Sequence, residues 1–146
     1  MLLEALPGVL ASHPDARLLL AGRDGNQTPL LLATATRLGL DGRVAFLGPR
    51  DDVADLLCAA DVVAIPSRWE GLSNVLIEAM AMEAPVVASD LPTLQDAVAD
   101  DDLVRLVQPG DAAQLAAAIS ATLDDPAGAA ERARRAHRRF MERVTI

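Results

Sequence analysis

The sequence predicts an α/β fold in which a parallel β-sheet carries helices on both faces. Three observations predict it. Short apolar runs of about five residues alternate with longer segments whose apolar residues recur every three or four positions. Several of the short runs are apolar throughout, which is how strands buried on both faces read. The alternation repeats four or five times, as in successive strand–helix–strand units with right-handed crossovers.

Taken in order, residues Leu2–Leu10 have helical periodicity interrupted by Pro7-Gly8, so this helix is either kinked there or begins late. Ala16–Ala21 reads as the first strand. A helix over Pro29–Leu38 follows, with Thr28 as N-cap, Pro29 at the first helical position and Gly39 as C-cap. Arg43–Leu47 is a strand, Asp52–Ala60 a short helix and Asp61–Ile65 a strand. Ser73 caps a helix that runs to Met82 and stops before Pro85. Strands at Pro85–Ala88 and Leu103–Val107 come next. Asp111 caps a helix to Leu123, in which Leu115, Ala118, Ile119 and Thr122 fall on one face. Asp125-Pro126 breaks it, and a last helix covers Ala127–Arg143.

The 146 residues amount to one domain, large enough to hold a core without disulfides. An apolar content of 51% excludes a disordered chain, and no apolar run approaches a membrane span. Met1-Leu2-Leu3-Glu4 lacks the basic start of a signal peptide. The single Cys58 excludes an internal disulfide and a multi-cysteine zinc site, and reads as a small core residue. A reducing, cytoplasmic setting is expected.

The net charge of −8 excludes a general nucleic-acid binder. Residues 131–146 hold six arginines against Glu131 and Glu142, a local +4, so the remainder sums to −12. That basic end (Arg132, Arg134, Arg135, Arg138, Arg139, Arg143) suits a solvated helix C-terminus. It also suits contact with an anionic membrane surface. All 13 basic residues are arginine, which excludes Schiff-base chemistry and a P-loop.

Ligands of such sheets bind outside the carboxyl ends of the strands. Gly22-Arg23-Asp24-Gly25, Gly48-Pro49-Arg50, Pro66–Gly71 and Ser89-Asp90 all fall there. The stretch from Pro66 to Asp90 carries the most chemistry. Gly71 permits close backbone approach, and the amides of Leu72, Ser73, Asn74 and Val75 open a helix whose dipole favours an anion. Glu70 and Glu78 are placed to face one cleft, where ionised carboxylates accept from hydroxyls. Hydroxyls flanking a phosphate describe a nucleotide sugar. Plainer readings stand beside these. Ser73 is fully explained as an N-cap, and Arg50 and Arg68 as loop arginines. Asp90 reads as a turn cap, and His13 and His137 as structural residues.

Glu-Gly-Leu-Ser-Asn-Val-Leu-Ile-Glu-Ala-Met-Ala over residues 70–81 resembles the signature of family 4 retaining glycosyltransferases with the GT-B fold. Asp61–Arg68, Ala84–Asp90, Arg43–Gly48 and Val107–Asp111 follow the family's order and spacing, so the resemblance runs from Pro14 to Leu123. It implies a Rossmann-like three-layer α/β/α domain with a parallel sheet, one half of a GT-B fold. By that resemblance Glu78 binds the ribose hydroxyls. Glu70 contacts the sugar and steadies charge at the anomeric carbon. The Leu72–Val75 amides hold the diphosphate, and Gly48, Pro49 and Arg50 lie against the base. It further implies transfer to an acceptor hydroxyl with retention, no metal and no other cofactor. The N-terminal acceptor domain and the family's upstream arginine and lysine are absent, so this chain alone is not expected to turn over. Its uncovered face is expected to be apolar or to form a homodimer.

Three positions depart from the pattern. Glu83 stands where the family commonly has glycine, Pro92-Thr93 where a glycine pair often occurs, and Leu72-Ser73 where Phe-Gly is often seen. The rival readings are a nucleotide-sugar epimerase-like domain and a non-catalytic nucleotide-binding or interaction module.

Overall fold

The computed structural model describes residues 1–71, 73–98 and 102–144. In chain order the elements are α1 (Leu2–Ser12), β1 (Leu18–Ala21), α2 (Thr28–Arg37), β2 (Val44–Gly48), α3 (Val53–Ala59) and β3 (Val63–Ile65). They continue with α4 (Asn74–Ala81), β4 (Val86–Ser89), α5 (Pro92–Val98), β5 (Arg105–Val107), α6 (Ala112–Asp124) and α7 (Pro126–Val144). All five expected strands form and every pairing is parallel.

One sheet was expected. Among the described residues there are two, β1-β2 and β3-β4-β5. In the first, Leu18, Leu19 and Leu20 pair with Val44, Ala45 and Phe46. In the second, Val63 pairs with Val86, and Val87 with Arg105. Among the described residues no strand pairing joins β1 or β2 to the β3-β4-β5 sheet.

The period-2 alternation of strand side chains builds the three layers. Val62, Ala64, Val87 and Val107 join α1 and α6 in one core, with Leu3, Leu6, Val9, Leu115 and Ile119 opposite them. The intervening residues Val63, Ile65, Val86, Ala88 and Leu106 face the other way, onto Leu57 of α3, Leu76 and Met80 of α4, Leu94 of α5 and Ala136 of α7.

Several local expectations are corrected. Pro7 does not delay α1; the helix runs unbroken from Leu2 to Ser12 with Pro7 inside it, and Leu3, Leu6 and Val9 remain buried along one stripe. Losing the one amide that Pro7 lacks is outweighed by the packing of that stripe. Beside Pro7, Gly8 is the point of closest approach to α6. A Cβ there would lie 3.0 Å from the Ala116 Cβ. Thr28 is the first residue of α2, not its N-cap. Gln27 takes that position, and the Thr28 hydroxyl accepts from the Gly25 N–H at 3.0 Å. Cys58 is exposed, because the seven-residue α3 buries only Leu57 and the next residue turns away. Helix α5 was not anticipated.

The ends of α2 and α4 share one device. At α2 the Gly39 N–H donates to Thr36 O and the Leu40 N–H to Ala35 O, with Gly39 at φ +67°. At α4 the Glu83 N–H donates to Met80 O and the Ala84 N–H to Ala79 O, with Glu83 at φ +54°. Both are Schellman caps. The left-handed residue is retained at Glu83 even though it has a side chain, because Ala84 and the all-buried β4 follow directly.

Candidate functional site

A cleft of about 1340 Å3 runs between the two sheets and opens at the carboxyl edge of the strands. Its upper wall gathers Arg23, Pro49, Arg50, Glu70, Val75 and Glu78 from three different connections. Ser73 lines it too, while Gly48, Gly71 and Asn74 are not among its lining residues. Leu72 lies outside the described residues.

Helix α4 positions the central part. Ser73 is buried, and its hydroxyl accepts from the Leu76 N–H at 3.4 Å. The cap uses the third amide of the helix and leaves the Asn74 and Val75 amides without an intrahelical carbonyl. Glu78 stands four residues after Asn74 and three after Val75, on the same exposed face. That side chain therefore lies one turn along the helix from its two open amides, while Leu76, Ala79 and Met80 turn inward.

Glu70 is held from two sides. The Ser67 hydroxyl donates to Glu70 Oε2 at 2.5 Å, and the Thr93 hydroxyl donates to Glu70 O at 3.0 Å. The first contact fixes the carboxylate and the second fixes the backbone beside Gly71. Ser67 and Thr93 were not singled out from sequence. Ser67 could have been found three residues before the glutamate. Thr93 lies 23 residues away and is brought in only by α5. The pair Pro92-Thr93, where the sequence departs from the family's glycines, thus supplies a clamp on Glu70.

Arg50 binds Asp52 through two parallel bonds, Nε to Oδ1 at 2.7 Å and Nη2 to Oδ2 at 2.5 Å. These bonds hold the Asp52 carboxyl below the usual aspartate range and raise the Arg50 guanidinium above its own. Both groups are solvent-exposed, so the pair orients the loop more than it stabilises the fold. Arg23, at the end of β1, is a further cation on the cleft wall. At the base of the first loops the Gly22 N–H donates to Gly48 O at 2.9 Å, which ties the β1 and β2 ends together. Asp90 Oδ1 accepts from the Gln95 side-chain amide at 2.5 Å, a local side-chain contact with α5.

The basic helix α7 is amphipathic. Ala129, Ala133 and Ala136 are buried, and four arginines pair with acids: Arg134 and Arg138 with Glu131, Arg139 with Glu142, and Arg135 with Asp102. Among the described residues no helix is long and apolar enough to cross a membrane.

Parallel strands, two helical layers and a cleft at the carboxyl edge define the Rossmann-like half of a GT-B fold. The same architecture occurs in Anabaena Alr3699/HepE, solved in complex with UDP-glucose, at a TM-score of 0.87 and 32% identity. That match covers 97% of this chain and 40% of the other. The family model for glycosyl transferases group 1 matches residues 1–125, and the chain belongs to that family. It is 36% identical over 140 residues to a glycogen synthase of Mycobacterium tuberculosis, covering 94% of this chain and 34% of that one. It is 40% identical over 126 residues to a phosphatidyl-myo-inositol mannosyltransferase of Mycobacterium leprae, covering 84% of this chain and 33% of that one. The chain thus spans about a third of the length of these curated relatives.

Proposed function

We propose that this chain is the donor-binding part of a glycosyltransferase and takes a nucleotide diphosphate sugar in the carboxyl-edge cleft. The observation that carries the reading is the joint placement of Glu70, Glu78 and the start of α4 at Ser73 and Val75 on one cleft wall. Glu78 accepts from the ribose hydroxyls, and Glu70, clamped by Ser67 and Thr93, accepts from the sugar. The Asn74 and Val75 amides face the diphosphate, where the helix dipole adds favourable charge. Pro49, with Gly48 behind it and Arg50 beside it, lies against the base. Arg23 supplies a cation suited to a phosphate oxygen. The whole enzyme then moves the sugar to an acceptor hydroxyl with retention, using these fixed dipoles in place of a metal ion. A cytoplasmic location belongs to the same reading.

Titration calorimetry with UDP, GDP and UDP-glucose tests it. At least one nucleotide is expected to bind at millimolar concentration or tighter. The substitution Glu78→Ala is expected to weaken that binding about tenfold or more, the loss of hydrogen bonds to a charged acceptor. Added EDTA is expected to leave it unchanged. If neither UDP nor GDP binds, or Glu78→Ala binds as the parent does, the site is wrongly assigned.

A further inference from the structure

Glu70 is held by hydrogen bonds more than by packing. Before it in the chain, the Trp69 side chain is 86% exposed. After it, a Cβ built on Gly71 meets nothing within 4 Å. Neither neighbour fixes the carboxylate by being buried. Its place therefore depends on the bonds from Ser67 and Thr93, and these differ in kind. Ser67 lies three residues before Glu70 in the same connection, so its hydroxyl fixes the carboxylate relative to that connection. Thr93 lies 23 residues away, at the start of α5, so its bond to Glu70 O fixes the connection relative to the rest of the fold.

The frame that carries Thr93 is rigid. Pro92 before it has its φ set by the ring. The Leu94 and Gln95 N–H groups both donate to Leu91 O at 2.9 Å, which closes the first turn of α5 around Thr93. Leu94 after it is buried in the same core as Ile65 of β3 and Leu76 of α4. Thr93 thus joins Glu70 to the core that seats the helix carrying Glu78. Thr93 is not among the lining residues of the cleft, whereas Glu70 is, so it acts on a ligand through Glu70. The Ser67 bond engages Glu70 Oε2, and Oε1 keeps its lone pairs for a ligand hydroxyl. Helix α4 is seated by other means, namely the Ser73 cap and the burial of Leu76, Ala79 and Met80.

We propose that Thr93 is a positioning residue for donor-sugar recognition: by holding Glu70 O against the start of α5, it sets the affinity for the sugar of a nucleotide diphosphate sugar and leaves the affinity for the nucleotide alone. This rests on the donor-binding reading of the cleft and adds a division of labour to it. The nucleotide is read on α4, and the sugar is read through a tether to α5. The tether is a hydroxyl function, which a glycine at this position lacks.

Calorimetric titration of the chain with UDP, UDP-glucose, GDP and GDP-glucose reads two quantities: the nucleotide affinity, and the ratio of sugar-bearing to sugar-free affinity. Thr93→Val keeps the branched shape and removes the hydroxyl, while Thr93→Ser keeps the hydroxyl. In whichever pair the parent binds, Thr93→Val is expected to lower the ratio about threefold to tenfold, the loss of one neutral hydrogen bond, with the nucleotide affinity unchanged. Thr93→Ser is expected to restore most of the ratio. Glu70→Ala is expected to lower the ratio at least as far. Thr93→Val added to Glu70→Ala is expected to lower it no further, as a residue acting through Glu70 requires. Equal weakening of nucleotide and nucleotide sugar by Thr93→Val marks a merely structural role and overturns the proposal. So does an unchanged ratio, or a further loss on top of Glu70→Ala. Those results leave the nucleotide reading standing wherever UDP or GDP still binds and Glu78→Ala still weakens it. If neither nucleotide binds the parent, the donor-binding reading fails and this proposal falls with it.

Discussion

The two sheets are built from nearly the same kind of strand and meet opposite fates. β1 is Leu-Leu-Leu-Ala and β4 is Val-Val-Ala-Ser, both apolar and both parallel. Every residue of β4 is buried, Val87 completely, whereas Leu19 in β1 is 53% exposed. The strand β4 has a neighbour on each edge and a helical layer on each face. Among the described residues β1 has one neighbour, and only its Leu18 and Leu20 reach a core. An apolar run therefore encodes a capacity for burial on two faces. Whether that capacity is used depends on the elements around it. The two-stranded half is attached to the three-stranded half through α1 on α6, where Gly8 meets Ala116.

The largest way to break this contrast is to remove core volume from both halves. Leu76 is fully buried in α4, and Leu76→Ala is expected to cost about 2–5 kcal/mol. Leu19→Ala is expected to change stability by less than about 0.5 kcal/mol. Urea unfolding of the two variants measures the difference, and equal losses would mean that β1 is as fully packed as β4. Next in size is the joint between the halves. Gly8→Leu places a side chain against Ala116 and is expected to cost about 1–3 kcal/mol. Its hydrogen exchange should rise in β1 and β2 while β4 stays protected. A uniform rise across all five strands would show that the halves unfold together.

A smaller pair sharpens the same point at the helix ends. Gly39→Ala, in the two-stranded half, is expected to destabilise by about 1 kcal/mol because φ is positive there. Glu83→Gly, in the three-stranded half, is expected to stabilise by a similar amount. Thermal unfolding of both should give opposite signs. The smallest effect concerns the tie from α7 to the segment before β5. The Arg135 guanidinium holds the Asp102 carboxyl below the usual aspartate range, first by its hydrogen bond and then by its charge. A carboxyl lowered in the folded state adds stability above its unfolded value, about 3.9, and loses it as pH falls through the folded value. Asp102→Asn should therefore show less acid loss of Tm than the parent, and the two should converge at the lowest pH.

Much of this was legible in the sequence. Each strand is a short apolar run between turn residues. The caps at Ser73 and Asp111 follow from side chains that satisfy the next turn's amides. Glu70 and Glu78 reach one cleft wall because a glycine and a helix start lie between them. Helix α5 was missed because its seven residues, two of them Pro92 and Thr93, are too few to repeat a helical period. Cys58 was placed wrongly because α3 is too short for periodicity to say which residue turns inward. The clamp by Thr93 was missed because the contact spans 23 residues.

The sequence by itself determined the alternation of strand and helix, the two-face character of the strands and the chemistry at the carboxyl edge. These are local properties, set by side-chain period, capping hydroxyls and the acids beside a helix start. Only the tertiary structure decided that the sheet divides between β1 and β3, that Glu70 is held by Ser67 and Thr93, and that α1 crosses the sheet on the face of α2. Those outcomes depend on which edges and faces find partners, and strand pairing and crossover hand are settled between elements far apart in the chain.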